Sequence, residues 1–177
     1  MNDIKYLRQA SSIVDFRDSN LLFDISKVKK YMEDSSSFLA ISPVQIGILK
    51  RFICINKKAN CFSYSDIPLL LINPVVVSMK GLTIYGEECG SIKGYIAYVK
   101  RPYKILINYL NINEEKLSYE FVGILAGVIS HEIDHLNGIL TIDVASNFKL
   151  ISEIDKKVNK YIIVSKDGEF NELSLEN

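Results

Sequence analysis

The stretch VGILAGVISHEIDHLNG, Val122 to Gly138, decides how the chain folds. Ile124, Leu125, Val128, Ile129 and Leu136 recur at helical spacing, which predicts a helix over Val122 to Leu136. Gly138 lies just past its end, where a helix cap needs positive φ. An apolar stripe of this kind must be buried against something, and the chain upstream supplies strands. Between Arg51 and Asn111 the pattern changes to short β-rich runs: Phe52 to Ile55, Leu69 to Val77, Leu82 to Tyr85, Tyr95 to Val99 and Ile105 to Leu110. Lys116 to Phe121 adds one more. Asn73-Pro74, Gly81, Gly94 and Asn111 punctuate them.

Further out, Leu22, Ile25, Val28 and Lys29 predict a first helix over Leu21 to Tyr31, which the run Asp34 to Ser37 ends. Leu150, Ile151, Ile154, Val158 and Tyr161 predict a last amphipathic helix from Phe148 to Ile162. The class is α+β, with sheet around a central helix.

The chain has 177 residues, 48% apolar and 24% charged, a balance that fits one globular domain and excludes a disordered chain. We expect a single domain over residues 1–168 and a flexible tail from Glu169 to Asn177. Lys plus Arg and Asp plus Glu both total 21, so no global field attracts a polyanion and no specific nucleic-acid binding is expected. Met1 to Ser12 lacks the apolar core of a signal peptide, and no later run has the length of a membrane span. A cytoplasmic protein without membrane association is expected. Its three cysteines, Cys54, Cys61 and Cys89, cannot all pair within the chain and read as free thiols or metal ligands.

The central helix carries His131 and His135, the only histidines in the sequence. Residues four apart lie on one helical face, so both imidazoles can reach one cation. Glu132 then sits beside the site, where it can bind activated water without being a ligand. The competing reading is chance spacing on an amphipathic helix; a Glu between the chain's only histidines argues for the metal. A catalytic site also needs a third protein ligand and an open position, and any Cys, Asp or Glu brought near by the fold could supply the ligand. Cys54, between Ile53 and Ile55, reads as a small hydrophobe in a buried strand. Cys61 sits in a polar loop and says little. Cys89 lies in Gly86-Glu87-Glu88-Cys89-Gly90-Ser91, a turn-like segment at a strand end, where a thiolate can point into a cleft. It is the favoured ligand, with a structural cysteine as the alternative.

These residues resemble the peptide deformylase family, whose three motifs occur here in order. Their counterparts are Phe38 to Gln45, followed by Ile46 and Gly47, then Glu87 to Ser91, then Ser130-His131-Glu132-Ile133-Asp134-His135-Leu136. Asn73-Pro74, Val99-Lys100-Arg101 and Asn137 to Leu140 extend the likeness, which covers roughly Leu22 to Asp143. The resemblance implies antiparallel sheets packed around a central helix that carries the histidine motif. It implies removal of the formyl group from the N-formylmethionine of nascent peptides, releasing formate, with transient contact to the ribosome. It also implies one divalent metal ion per chain, Fe²⁺ in the cell and replaceable by Zn²⁺, Ni²⁺ or Co²⁺. Cys89, His131 and His135 would be its ligands. Glu132 would carry the proton from water to the departing amine, and Gln45 with the backbone N–H of Gly90 would stabilise the oxyanion. Glu87 and Arg101 match an ion pair that braces the cysteine loop. Substrate would lie against Ala40, Glu88, Ile124, Gly127 and Val128.

The chain departs from the family pattern at substrate-facing positions. Phe38 and Ala40 replace the two glycines of the first motif, so Phe38 is expected to add bulk along the peptide edge. Glu88 and Gly90 flank Cys89 and put an extra carboxylate near the thiolate. Ser130 replaces a glutamine, and Ile96 stands where Arg is common. Gly127 lacks the side chain usual one turn before His131, which is expected to enlarge the pocket for the first residue. Two rivals follow: a divergent hydrolase acting on another N-acyl peptide, and a non-catalytic metal- or peptide-binding relative, against which the presence of Glu132 argues. The motif around Cys89 and Asp134-His135-Leu136 argue against a metallopeptidase.

Overall fold

The computed structural model describes residues 4–35, 38–62, 69–89, 92–150, 160–164 and 170–174. Strand β2 (Phe52–Ile55) is buried along its whole length, because its alternating side chains serve two cores. Phe52 and Cys54 pack with Ile41, Ile72 and helix α2 (Leu21–Asp34), which contributes Leu21, Ile25, Val28 and Met32. Ile53 and Ile55 pack with Leu71, Ile105, Ile107, Phe121 and helix α3 (Ile124–Leu136), which contributes Leu125, Ala126, Ile129, Ile133 and Leu136. The two helices therefore clamp one sheet from opposite sides. Burial of these side chains contributes about 1.5–3 kcal/mol each before the entropy cost is counted.

That sheet is antiparallel and runs β1 (Ala40–Ile41), β2, β3 (Leu70–Lys80), β6 (Lys104–Leu110), β7 (Lys116–Val122). A second antiparallel sheet joins β4 (Thr83–Cys89), β5 (Ile92–Arg101) and β8 (Ala145–Leu150) in that order. Strands β9 (Lys160–Val164) and β10 (Phe170–Ser174) pair with each other, so a strand lies within the expected tail. Two short helices, α1 (Ile4–Leu7) and α4 (Thr141–Val144), complete the described elements with 3-10 turns at Pro43–Ile46 and Lys57–Phe62. No helix among the described residues is long and apolar enough to cross a membrane.

Three expectations change. The buried stripe of α2 is Leu21, Ile25, Val28 and Met32, while Leu22 is 65% exposed; the spacing four, three, four keeps one narrow face on the sheet, and Leu22 lies outside it. Helix α3 starts at Ile124 because Val122 still pairs with Lys104 and Gly123 turns the chain at φ 62°. The helix expected over Phe148 to Ile162 is not formed at its ends. Phe148, Lys149 and Leu150 pair with Ala97, Ile96 and Tyr95, and Lys160 to Ile162 lie in β9. The edge of β5 offers backbone donors and acceptors that outweigh a helical apolar pattern. The middle of that segment, 151–159, lies outside the described residues.

The C-terminal end of α3 is held from a distance. Its C-terminus closes with Asn137, then Gly138 at φ 73°, and the N–H of Ile139 donates to the carbonyl of Asp134 at 2.9 Å. The N-terminal segment lies directly on this cap: Ser11 N–H donates to Leu136 O at 2.9 Å, and a Cβ on Gly138 would collide with the Arg8 carbonyl. Gly138→Ala thus meets both left-handed backbone and a backbone clash. It should lower stability by about 2 kcal/mol or more in urea unfolding, whereas an exposed helix-interior change such as Lys29→Ala should stay within about 0.5 kcal/mol.

Candidate metal and proton-transfer site

Strand β4 and helix α3 meet along one seam. Side chains two apart on a strand share a face, so Tyr85 and Glu87 turn toward α3 while Glu88, between Glu87 and Cys89, is exposed. The Glu87 carboxylate accepts from His131 Nδ1 at 2.9 Å. A carboxylate can only accept, so Nδ1 carries the proton and Nε2 keeps its lone pair. That nitrogen faces His135 Nε2 at 3.1 Å, with the rings nearly perpendicular at 85°.

Two bare lone pairs at that distance would repel, so the gap between them suits a shared proton or a metal cation. Ligands about 2.0–2.1 Å from one tetrahedral ion stand about 3.3 Å apart, close to the separation seen. The donor set therefore fits a divalent metal. Among the described side chains no third His, Cys, Asp or Glu completes a metal-sized group. The side chain of Cys89 lies outside the described residues, and its backbone ends the strand that carries Glu87.

Glu87 is held in turn. Arg101, 5% exposed on β5, donates to it from Nε at 2.8 Å and Nη2 at 3.0 Å, and a third donor, Nη1, pairs with Asp134 of α3. Burial pushes the Glu87 carboxyl up, but the hydrogen bonds from His131 and Arg101 outweigh it, and its pKa falls below the ordinary value. For Arg101, burial disfavours the charge and the two carboxylates more than restore it. The chain imidazole, carboxylate, guanidinium, carboxylate starts and ends on α3 and locks that helix to the small sheet.

Glu132 is buried against the large sheet's edge. Its Oε2 accepts from the Ser42 backbone N–H at 2.7 Å and from Gln45 Nε2 at 2.8 Å, both on the segment that follows β1. Burial raises its pKa, only partly offset by the neighbouring histidines and the Ser42 bond. A carboxylate so placed is a stronger base than one in water.

The structure thus brings together His131, His135, Glu132, Gln45, Glu87 and Arg101. Gly90 lies outside the described residues. Ala40 packs its side chain into the α3 core from the end strand of the sheet, Val128 packs against the same core, and Ile124 is half-exposed at the helix start. Glu88 is exposed. Two expectations are corrected. Phe38 does not thicken the peptide edge: it packs on the α2 side, its ring 6.2 Å from that of Tyr31. The space expected above Gly127 is filled, because a Cβ there would lie 2.9 Å from the Tyr85 ring. Sequence reasoning missed Ser42, Asp134 and Tyr85. The alternation that pairs Tyr85 with Glu87 was available as a signal; the Ser42 contact is a backbone N–H and leaves none.

Two facing imidazoles and a buried carboxylate on one helix, with one ring fixed by a carboxylate from a strand, place the chain in the class of His-Glu-x-x-His metallohydrolases built on antiparallel sheets. The polypeptide deformylase family model matches residues 2–150. The chain is 35% identical over 144 residues to the peptide deformylase of Rhizobium meliloti, covering 81% of each, and 32% identical over 165 residues to that of Thermoanaerobacter sp., covering 89% of this chain and 94% of the relative. Among solved structures, the peptide deformylase of Legionella pneumophila superposes with TM-score 0.71 at 28% identity over 80% of this chain and 81% of the other. That of Synechococcus elongatus in complex with actinonin gives 0.71 at 33% identity over 81% and 75%. The chain belongs to the polypeptide deformylase family and is a hydrolase of that type.

Because the folded pKa of Glu87 is depressed, its charged form stabilises the native state above the unfolded value of 4.5, and this contribution disappears as pH falls through the lower folded value. Glu87→Gln should therefore cost roughly 3 kcal/mol at pH 7, a cost that shrinks steadily below about pH 4.5. Urea unfolding of both proteins between pH 3.5 and 7 measures it.

Proposed function

We propose that the chain hydrolyses the formyl amide of N-formylmethionyl peptides and releases formate. Cys89, His131 and His135 hold one divalent metal ion, Fe²⁺ in the cell, and Glu132 moves the proton. The observation that carries this reading is the pair of Nε2 atoms at 3.1 Å, next to a carboxylate that is 3% exposed. Family membership supports the reaction.

When bound, the metal supplies Lewis-acid activation of water and of the formyl carbonyl. The protein's own groups do the rest. Glu132 accepts the proton of the attacking water and returns it to the amine nitrogen of the leaving peptide; its burial gives it the basicity this needs. Ser42 and Gln45 hold Oε2 so that the carboxylate keeps one orientation. Gln45 Nε2 also donates to Ser42 Oγ at 3.3 Å, a long bond that it can exchange for the developing oxyanion, with the N–H of Gly90 as second donor. The peptide lies along the outer edge of β1 at Ala40, the first strand in the order of its sheet, and its first side chain enters beside Ile124 and Val128.

Cys54 suits the ligand role poorly. It packs on the α2 side of the sheet, away from α3, and burial pushes its thiol up to about 12, which disfavours the thiolate a metal would need. The setting we propose is cytoplasmic, on nascent formylated chains at the ribosome, with one catalytic domain.

Formate release from formyl-Met-Ala-Ser by Fe²⁺-loaded protein prepared without oxygen tests the reading. Glu132→Gln should keep its metal and lose about 10² to 10⁴-fold in turnover. Cys89→Ala should lose metal while Cys54→Ala keeps it. Near wild-type turnover in metal-replete Glu132→Gln, or full metal in Cys89→Ala, would overturn the assignment.

A further inference from the structure

We propose that Ser42 is a positioning residue for the reaction: its hydroxyl fixes the Gln45 amide beside Glu132 and holds the N–H that Gln45 turns to the oxyanion. The inference rests on the deformylase reading of the site. Ser42 is fully buried, at 0% exposure. It stands at the N-cap of the 3-10 turn Pro43–Ile46, extended at φ −95° and ψ 142°, where a serine hydroxyl ordinarily caps the turn; here the side chain makes no capping bond. Backbone closes the turn instead, the Gln45 N–H donating to the Ser42 carbonyl at 3.2 Å. The hydroxyl is engaged by the site, where it accepts from Gln45 Nε2 at 3.3 Å. Local structure therefore gives no reason for a hydroxyl at this position, and the site does.

Glu132, Gln45 and Ser42 form a triangle. Gln45 Nε2 carries two protons: one goes to Glu132 Oε2 at 2.8 Å and the other to Ser42 Oγ at 3.3 Å. Both neighbours accept, so the amide has one orientation; turned over, its Oε1 would stand against a carboxylate oxygen and be repelled. The two bonds are unequal. The one to the carboxylate is short and charge-assisted, and the one to the hydroxyl is long and neutral. As charge develops on the substrate's carbonyl oxygen, the N–H on Ser42 is the one released at least cost, and Gln45 stays attached to Glu132. Proton acceptor and oxyanion donor thus keep one mutual geometry, set by two residues three apart on a single turn.

In Ser42→Ala the second N–H loses this acceptor at a place where Gln45 is only 8% exposed, and the amide turns to recover one. Gln45 then no longer meets the oxyanion already aimed. The loss falls on the transition state, because the Ser42–Gln45 bond is not a contact with bound substrate.

The test measures metal content, kcat and KM for formyl-Met-Ala-Ser in metal-replete wild type, Ser42→Ala, Gln45→Ala and the double variant Ser42→Ala/Gln45→Ala. Ser42→Ala should keep its metal, lose roughly tenfold in kcat and leave KM within about twofold. In the Gln45→Ala background, removal of the hydroxyl should change kcat by less than about twofold, since the serine acts through that amide. A merely structural role would lower kcat by the same factor in both backgrounds. Wild-type kcat in folded Ser42→Ala, or equal losses in the two backgrounds, overturns the inference; if Ser42→Ala does not fold, the same comparison with Ser42→Cys, similar in size and a weak acceptor, decides it. Absence of formate release by the metal-loaded wild type would instead overturn the reading of function, and this inference with it.

Discussion

A carboxylate taken out of water must be paired or protonated, and helix α3 carries Glu132 into the interior and leaves Asp134 partly buried at its side. Much of the architecture around it answers that constraint. Glu132 is met by a backbone N–H and a side-chain amide from the segment after β1. Asp134 is met by Arg101 from β5, which also neutralises Glu87 from β4, which in turn orients His131. Each group on the helix is satisfied by a different piece of chain, so helix, small sheet and end strand must all be in place before any one of these charges is compensated. The low dielectric that makes the arrangement costly also raises the pKa of Glu132.

The apolar half of the same helix solves the opposite problem. Leu125, Ala126, Ile129, Ile133 and Leu136 lie on the large sheet, and the strand beneath them is buried on both faces because α2 covers its other side. With both faces of β2 occupied, α3 has little freedom to slide. The cap at Gly138, pressed by the N-terminal segment, fixes its axial position. Rigid placement of this kind keeps two imidazole nitrogens at ligand spacing without a loop to hold them.

Much of this was legible in the residues. The apolar positions Leu125, Ile129 and Leu136 do not by themselves mark α3 as the functional helix; their coincidence with two histidines four apart does, and β2, β6 and β7 are visible as β-branched and aromatic runs. The segment after Ala145 was not legible. Leu150, Val158 and Tyr161 have helical spacing, yet the strand at Ala145–Leu150 forms because β5 presents an unsatisfied edge, and no local pattern reports an edge. The position of Phe38 is hidden for a related reason: its neighbour Tyr31 is close only once α2 has packed on the sheet.

Sequence by itself determined which groups could do chemistry. Two histidines four apart with a glutamate between them share a helical face whatever surrounds them, since 3.6 residues per turn is a property of the backbone. Tertiary structure alone decided what those groups are worth. The direction of the Glu132 and Glu87 pKa shifts depends on burial and on partners tens of residues away, and the vacancy written at Gly127 is closed by a tyrosine that only the meeting of β4 with α3 brings there. Helical periodicity acts through neighbouring bonds, whereas dielectric and steric contact act through space, and the distance between segments is not encoded in any one of them.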